Sequence, residues 1–234
     1  MIRPDVADLW LASTTAELWP LLIPQFGRSE PNSFDAQAVF RRVHDTDRDG
    51  AALTARLLLS HVRWSRVTGE LVRALTGSGI LDDADVDRMA VELLDGDRWL
   101  VPVTAVQLEL LGGTAVDDGG RPVELEPDEE VALDRTIEPP LRRWAAHRAV
   151  ARGLVPVSEL WGMATGELRA RHRALLLTGL LEAADHIDRE TADALIAHAQ
   201  AWPHKTVRDT AARLAAAREA ARNPTPPEPL DTLW

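Results

Sequence analysis

The chain has 234 residues, 45% of them hydrophobic and 27% charged, which is enough to bury a sizeable core and too apolar for a disordered chain. It has no cysteine, which excludes a disulfide framework, a thiolate nucleophile and cysteine-ligated zinc or iron–sulfur centres. The net charge of −11 is unevenly spread: residues 1–81 balance, 82–138 carry seventeen acids against four bases, and 139–234 carry thirteen bases against eleven acids.

Apolar residues recur with a helical period along most of the chain, which predicts an all-α protein. Ser33 is placed to N-cap a helix through Phe34, Ala38 and Val39. Asp49-Gly50 leads into a helical stretch containing Leu53, Leu57, Leu58 and Val62, and Gly77-Ser78-Gly79 has the character of a helix end. Asp82-Asp83 opens the next helix, with Val86, Met89, Ala90, Leu93 and Leu94 on its apolar face and Gly96 at its end. Residues 99–111 are expected to be helical, with Pro102 in the first turn. A run of turn formers follows at 112–122, and Val123-Glu124-Leu125 is the only strand signal. Helical patterning resumes at Asp128-Glu129-Glu130, and Pro139-Pro140 precedes a helix over 141–152. Gly153, Pro156, Gly162 and Gly166 cut the next stretch into short pieces, while 168–181 is apolar nearly all round and should be buried. Asp188 caps a helix through Ala192, Leu195, Ile196 and Ala199, Pro203 breaks it, and 207–221 forms the last helix. The predicted organisation is an N-terminal helical half (1–111), a Gly/Pro/acidic connecting loop (112–127), a C-terminal helical half (128–222) and a Pro-rich tail (223–234). The tail is either a disordered end or a strap that docks through Leu230, Leu233 and Trp234.

Several second helices begin alike. Pro203-His204-Lys205-Thr206-Val207-Arg208 is followed by Ala211, Leu214 and Ala215; Pro139-Pro140-Leu141-Arg142 by Ala145 and Ala149; and Leu168-Arg169 by Ala174 and Leu175. Small alanines let neighbouring helices approach closely, and larger apolar residues fill between them. The pattern resembles the HEAT repeat. That resemblance implies stacked antiparallel helical hairpins forming an α-α superhelix; an irregular helical bundle is the other architecture these helices could build.

No catalytic motif is found, nor any sequence for a cofactor. Residues 45–50, Asp-Thr-Asp-Arg-Asp-Gly, copy the first half of an EF-hand loop, but Arg56 stands where the bidentate glutamate should be, so a solvated acidic turn is expected. His186, His198 and His204 lie along one hairpin near Asp185 and Asp188, at spacings that do not share a helical face, and no metal is assigned to them. Neither a phosphate-binding glycine loop nor a Gly-x-Ser-x-Gly elbow is present. No apolar run approaches the ~20 residues of a membrane span, and Met1-Ile2-Arg3-Pro4-Asp5 does not open a signal peptide, so a cytoplasmic protein without a membrane partner is expected. Arg dominates over the single Lys205, a bias typical of GC-rich bacterial genomes.

The candidate site is a basic band. Between 139 and 173 there are seven arginines against two acids, and Arg142, Arg143, Trp144, Arg148, Arg169, Arg171 and Arg173 are the candidate partner- or phosphate-binding residues. These arginines could pair with the acidic stretch before them or with a partner, or could line a groove that holds phosphates. Most tryptophans, Trp64 included, are expected in the core. The expected function is a non-enzymatic helical-repeat protein-interaction module, an adaptor or partner subunit. The alternative is a nucleic-acid-acting protein that resembles the HEAT-like DNA alkylation-repair glycosylases, which hold DNA in a basic concave groove. Trp144 with its arginines, and Trp202 with Asp209, would be the corresponding positions. A small-molecule pocket between helices is a third possibility.

Overall fold

The computed structural model describes residues 55–222 except 111, 112 and 118, together with Arg41 and Asp45. The predicted Ser33 helix, most of the calcium-like turn and the Pro-rich tail lie outside the described residues. Arg56 itself is described, and it is ion-paired with Glu92 at 3.0 Å.

Helix dominates. Residues 55–60 are helical and bury Ala55, Leu57, Leu58 and Leu59. There follow α1 (Ser65–Gly77), α2 (Asp83–Glu92), β1 (Arg98–Thr104), α3 (Ala105–Leu110), β2 (Glu130–Thr136), α4 (Pro139–Ala151), α5 (Val157–Gly166), α6 (Ala170–Glu182), a short 3-10 turn (Ala184–His186), α7 (Arg189–Gln200) and α8 (Lys205–Arg222).

The helix boundaries follow local chemistry. Asp82 accepts a hydrogen bond from the Asp85 amide at 2.7 Å, and Asp85 reaches back to the Asp82 amide, closing a capping box at the start of α2. Asp188 caps α7 in the same way, accepting from the Thr191 amide at 2.9 Å. Past the end of α1 the chain turns at Gly79, whose φ of +85° is costly for residues with a Cβ. Asp82→Ala should cost about 1 kcal/mol. Urea unfolding should show this as a lower midpoint with an unchanged slope, since the cap adds no buried surface.

Residues 98–136 correct the sequence reading. The helix expected over 99–111 is a strand for its first part, and the helical restart expected at 128–130 leads into a second strand. The two pair antiparallel, with Trp99 opposite Arg135, Val101 opposite Leu133 and Val103 opposite Val131. Trp99, Val101 and Val103 are buried while Arg98 and Leu100 are exposed, a period of two rather than 3.6. Pro102 is tolerated because, among the described residues, the sheet has two strands and each has an unpaired side. Arg98 and Asp134 meet across the exposed face at 2.7 Å. The Val123-Glu124-Leu125 signal does not form a strand; nearby there is one isolated bridge between Val116 and Pro122.

The core centres on α4 and α6. α4 contributes Leu141, Ala145, Ala146, Ala149 and Val150, and α6 contributes Leu176, Leu177, Leu180 and Leu181. α1 and α2 pack on α4, α5 and α8 pack on α6, and α7 packs on α8. The alanines of α4 and Gly179 of α6 bring the two backbones together: a Cβ added at Gly179 would fall on the Arg143 carbonyl and lie 3.0 Å from the Ala146 Cβ.

Candidate functional site

The candidate arginines divide into those that are neutralised within the chain and those that are not. Arg148 donates to Asp87 at 2.7 Å and to Asp83 at 2.9 Å, and Arg152 adds a 3.3 Å contact to Asp87. Arg169 reaches Asp97 at 3.3 Å. Those three partners belong to the acidic middle of the sequence, so part of the band ties α4 and the start of α6 to the preceding segment.

Other arginines pair more locally. Arg142, only 4% exposed, donates to Glu167 at 2.5 Å, while its Nε has no partner among the described residues. Arg143 donates through Nε to Glu182 at 2.8 Å. Arg169 also contacts Glu167, and Arg173 donates to the Glu167 carbonyl at 2.7 Å. The Arg169 hydrogen bond is the main reason the Glu167 carboxyl is lowered to about 2. Burial pulls Arg142 the other way, below its ordinary value, with Glu167 opposing the drop. The Arg148 hydrogen bond likewise lowers the Asp83 carboxyl. Arg171 is exposed and forms no ion pair among the described residues.

Beside Arg171 lies a groove made of two adjoining hollows, of about 600 and 520 Å³, which share Trp64 and Pro140. The larger is lined by Arg63, Trp64, Pro140, Arg171, Leu175, His204 and Thr206 among others. The smaller includes Arg66, Arg143, Trp144, His147 and Glu182. Trp64 occupies the N-cap position of α1 and is 47% exposed, which corrects its expected place in the core. Burial lowers the His147 imidazole, which meets His186 edge-on at 6.0 Å between ring centroids.

The structure therefore brings together Arg143, Trp144 and Arg171 from the predicted set, and leaves Arg142, Arg148, Arg169 and Arg173 outside the groove lining. Sequence reasoning missed Arg63, Trp64 and His204 as site residues. The run Arg63-Trp64-Ser65-Arg66, cations flanking an aromatic at a helix start, was the available signal. Trp202 does not line the groove; its ring packs edge-on against Trp161 at 5.7 Å, and Asp209 is exposed on α8. The three clustered histidines diverge as well: His186 faces His147, His198 packs on Trp161, and His204 lines the larger hollow. Among the described residues no group of three or more His, Asp or Glu side chains is placed to hold a metal ion, and no helix is long and apolar enough to cross a membrane.

No family model, curated protein or solved structure matches this chain. The groove offers guanidinium groups to anions and an indole face to flat or apolar groups.

Proposed function

We propose that the chain is a non-enzymatic interaction protein of HEAT-like helical-repeat type, and that the groove around Trp64 is its partner-binding surface. The observation that carries this reading is the half-exposed Trp64 indole between two hollows, flanked by Arg63 and Arg171. Trp and Arg concentrate binding energy at protein interfaces. Charge complementarity selects a protein segment bearing acidic side chains around an apolar anchor. Selection of displayed random peptides against the full chain should enrich such sequences, and the Trp64→Ala, Arg171→Glu double variant should fail to retain them. Enrichment of neutral or basic peptides, or retention by the double variant, would overturn the reading.

The nucleic-acid alternative draws on the same groove, since cations beside an exposed aromatic also suit single strands. Two observations weigh against it. The chain carries −11, which repels a polyanion at long range, and most of the basic band is already paired. The chain should therefore not retard short duplex or single-stranded DNA at physiological salt, where non-specific binders show a Kd of about 10⁻⁴ to 10⁻⁶ M. Micromolar binding that weakens with salt and disappears in an Arg63→Glu, Arg171→Glu variant would establish the alternative instead.

A further inference from the structure

The larger hollow gathers two arginines that have no ion pair among the described residues. Arg142, Arg148, Arg169 and Arg218 each have a carboxylate within 3.3 Å. Arg63 and Arg171 face one cavity with His204 and Thr206, and the described residues of its lining include no carboxylate. In a chain of net charge −11, gathering cations without a counter-ion is selective. An anion placed between them would be attracted by both.

The segments that supply these side chains point the same way. Arg171 lies in the first turn of α6, and His204 and Thr206 bracket the start of α8. Neither first turn holds an acid, and both hold a cation, Arg171 in α6 and Lys205 in α8. Cations there oppose the helix dipole, whereas an external anion would be favoured by dipole and side chains together. The rest of the lining is apolar: the Trp64 ring, Pro140, Ala174 and Leu175. A volume of about 600 Å³ far exceeds a lone phosphate and falls in the range of small-molecule sites.

We infer that this hollow binds a small phosphate monoester with a flat ring, its phosphate held between Arg63 and Arg171 and its ring against Trp64. Guanidinium forks match phosphate oxygens in two-pronged geometry, the Thr206 hydroxyl supplies a further donor, and an indole face accepts a planar group. The hollow is part of the groove proposed above for an acidic partner and shares Trp64, Arg63 and Arg171 with it, so the two occupants are told apart by their readouts, peptide display for one and mononucleotide titration for the other.

The test is a titration of the full chain followed through the indole N–H resonances of its eight tryptophans, with Trp64 assigned by Trp64→Phe. Adenosine monophosphate is the probe, with inorganic phosphate, adenosine and acetate as its parts and competitors. Adenosine monophosphate should move the Trp64 resonance along a saturable curve. Inorganic phosphate should compete, adenosine should bind more weakly, and acetate should not compete. Arg171→Glu and Arg63→Glu should each weaken binding at least about tenfold, while Arg213→Glu, on exposed α8 surface outside the lining, should leave it unchanged. The resonance of buried Trp99 reports that each variant is folded. Absence of saturation by about 10 mM, equal loss in Arg213→Glu, or equal competition by acetate would overturn the assignment. Binding of oligothymidylate more tightly than the mononucleotide would also overturn it, and would assign the groove to nucleic acid.

Discussion

Glu167→Gln is expected to be among the most damaging single substitutions in the chain. Arg142 is 4% exposed, its Nε has no partner among the described residues, and Glu167 at 2.5 Å is its only ion-pair partner there. Glu167 also accepts from the Arg169 amide at 2.9 Å and from the Arg169 side chain. Removing the negative charge leaves a guanidinium buried and unpaired, which costs about 3–5 kcal/mol. For a chain of this length that is a fall in Tm on the order of 10 °C, measurable by calorimetry. Replacing both partners with Arg142→Met and Glu167→Gln should recover much of the loss, because the isolated charge is the costly species.

Glu167 also gives the protein a signature in acid. Glu167 is lowered to about 2, first by the Arg169 hydrogen bond, from an unfolded value of ~4.3. A lowered carboxyl contributes stability that is fully present above the unfolded value and lost as pH falls through the folded one. Denaturant midpoints of the wild-type chain should therefore fall between roughly pH 4.3 and 2, and Glu167→Gln should lack that component of the fall. Asp83, Asp134 and Asp193 are also lowered, each chiefly by an arginine hydrogen bond, so the difference between wild type and variant isolates Glu167.

What was legible in the sequence was local. Asp82 and Asp188 announce their helices through their own side chains, and Pro139-Pro140 and Pro203 punctuate the chain where the structure does. The β1–β2 ribbon was not legible because its determinant is a partner more than twenty residues away. Trp99 and Val103 are four residues apart and fit a helical face as well as a strand; only Val101 separates the two, and its burial depends on Leu133 lying opposite. The acids at 128–130 look like a helix-opening turn, yet Glu130 begins β2. Pairing across the sheet overrides that local preference.

The site shows the same division. An excess of arginine over 139–173 is visible by counting, but which arginines remain available depends on where α2 places Asp83 and Asp87 and where Asp97 falls. Of the named set, Arg171 alone both lines a hollow and lacks a carboxylate partner among the described residues. Apolar helical segments on either side of Trp64 suggest a place in the core. It precedes the first residue of α1 instead, so the apolar stripe of that helix does not carry it inward. Arg63 and His204 are separated by most of the described chain and meet only because α1, α4, α6 and α8 pack together.

Gly179→Ala should lower stability where a generic helix substitution would raise it. In an unpacked helix the change is worth up to ~1 kcal/mol in favour of alanine. At position 179 the added Cβ would land on the Arg143 carbonyl, with the carbonyl carbon and the Ala146 Cβ both at 3.0 Å. The obstruction is backbone, which cannot rotate aside as a side-chain end can, so α6 must move off α4. That movement loosens Leu176, Leu177, Leu180 and Leu181 together, since all four lie on α6 in the core. Overpacking typically costs about 1–3 kcal/mol, and a clash with main chain belongs at the upper end, leaving a net loss of about 2 kcal/mol after the propensity gain. Thermal unfolding should show Tm lower by roughly 4–8 °C. Gly162→Ala in α5 is the matched control, because nothing lies within 4 Å of its added Cβ, and its Tm should hold or rise. A Gly179→Ala chain as stable as the wild type would mean that α4 and α6 do not approach through this glycine. Arg143, whose carbonyl meets Gly179 and whose side chain lines the smaller hollow, links that contact to the groove, so the same substitution should also shift the Trp144 indole resonance.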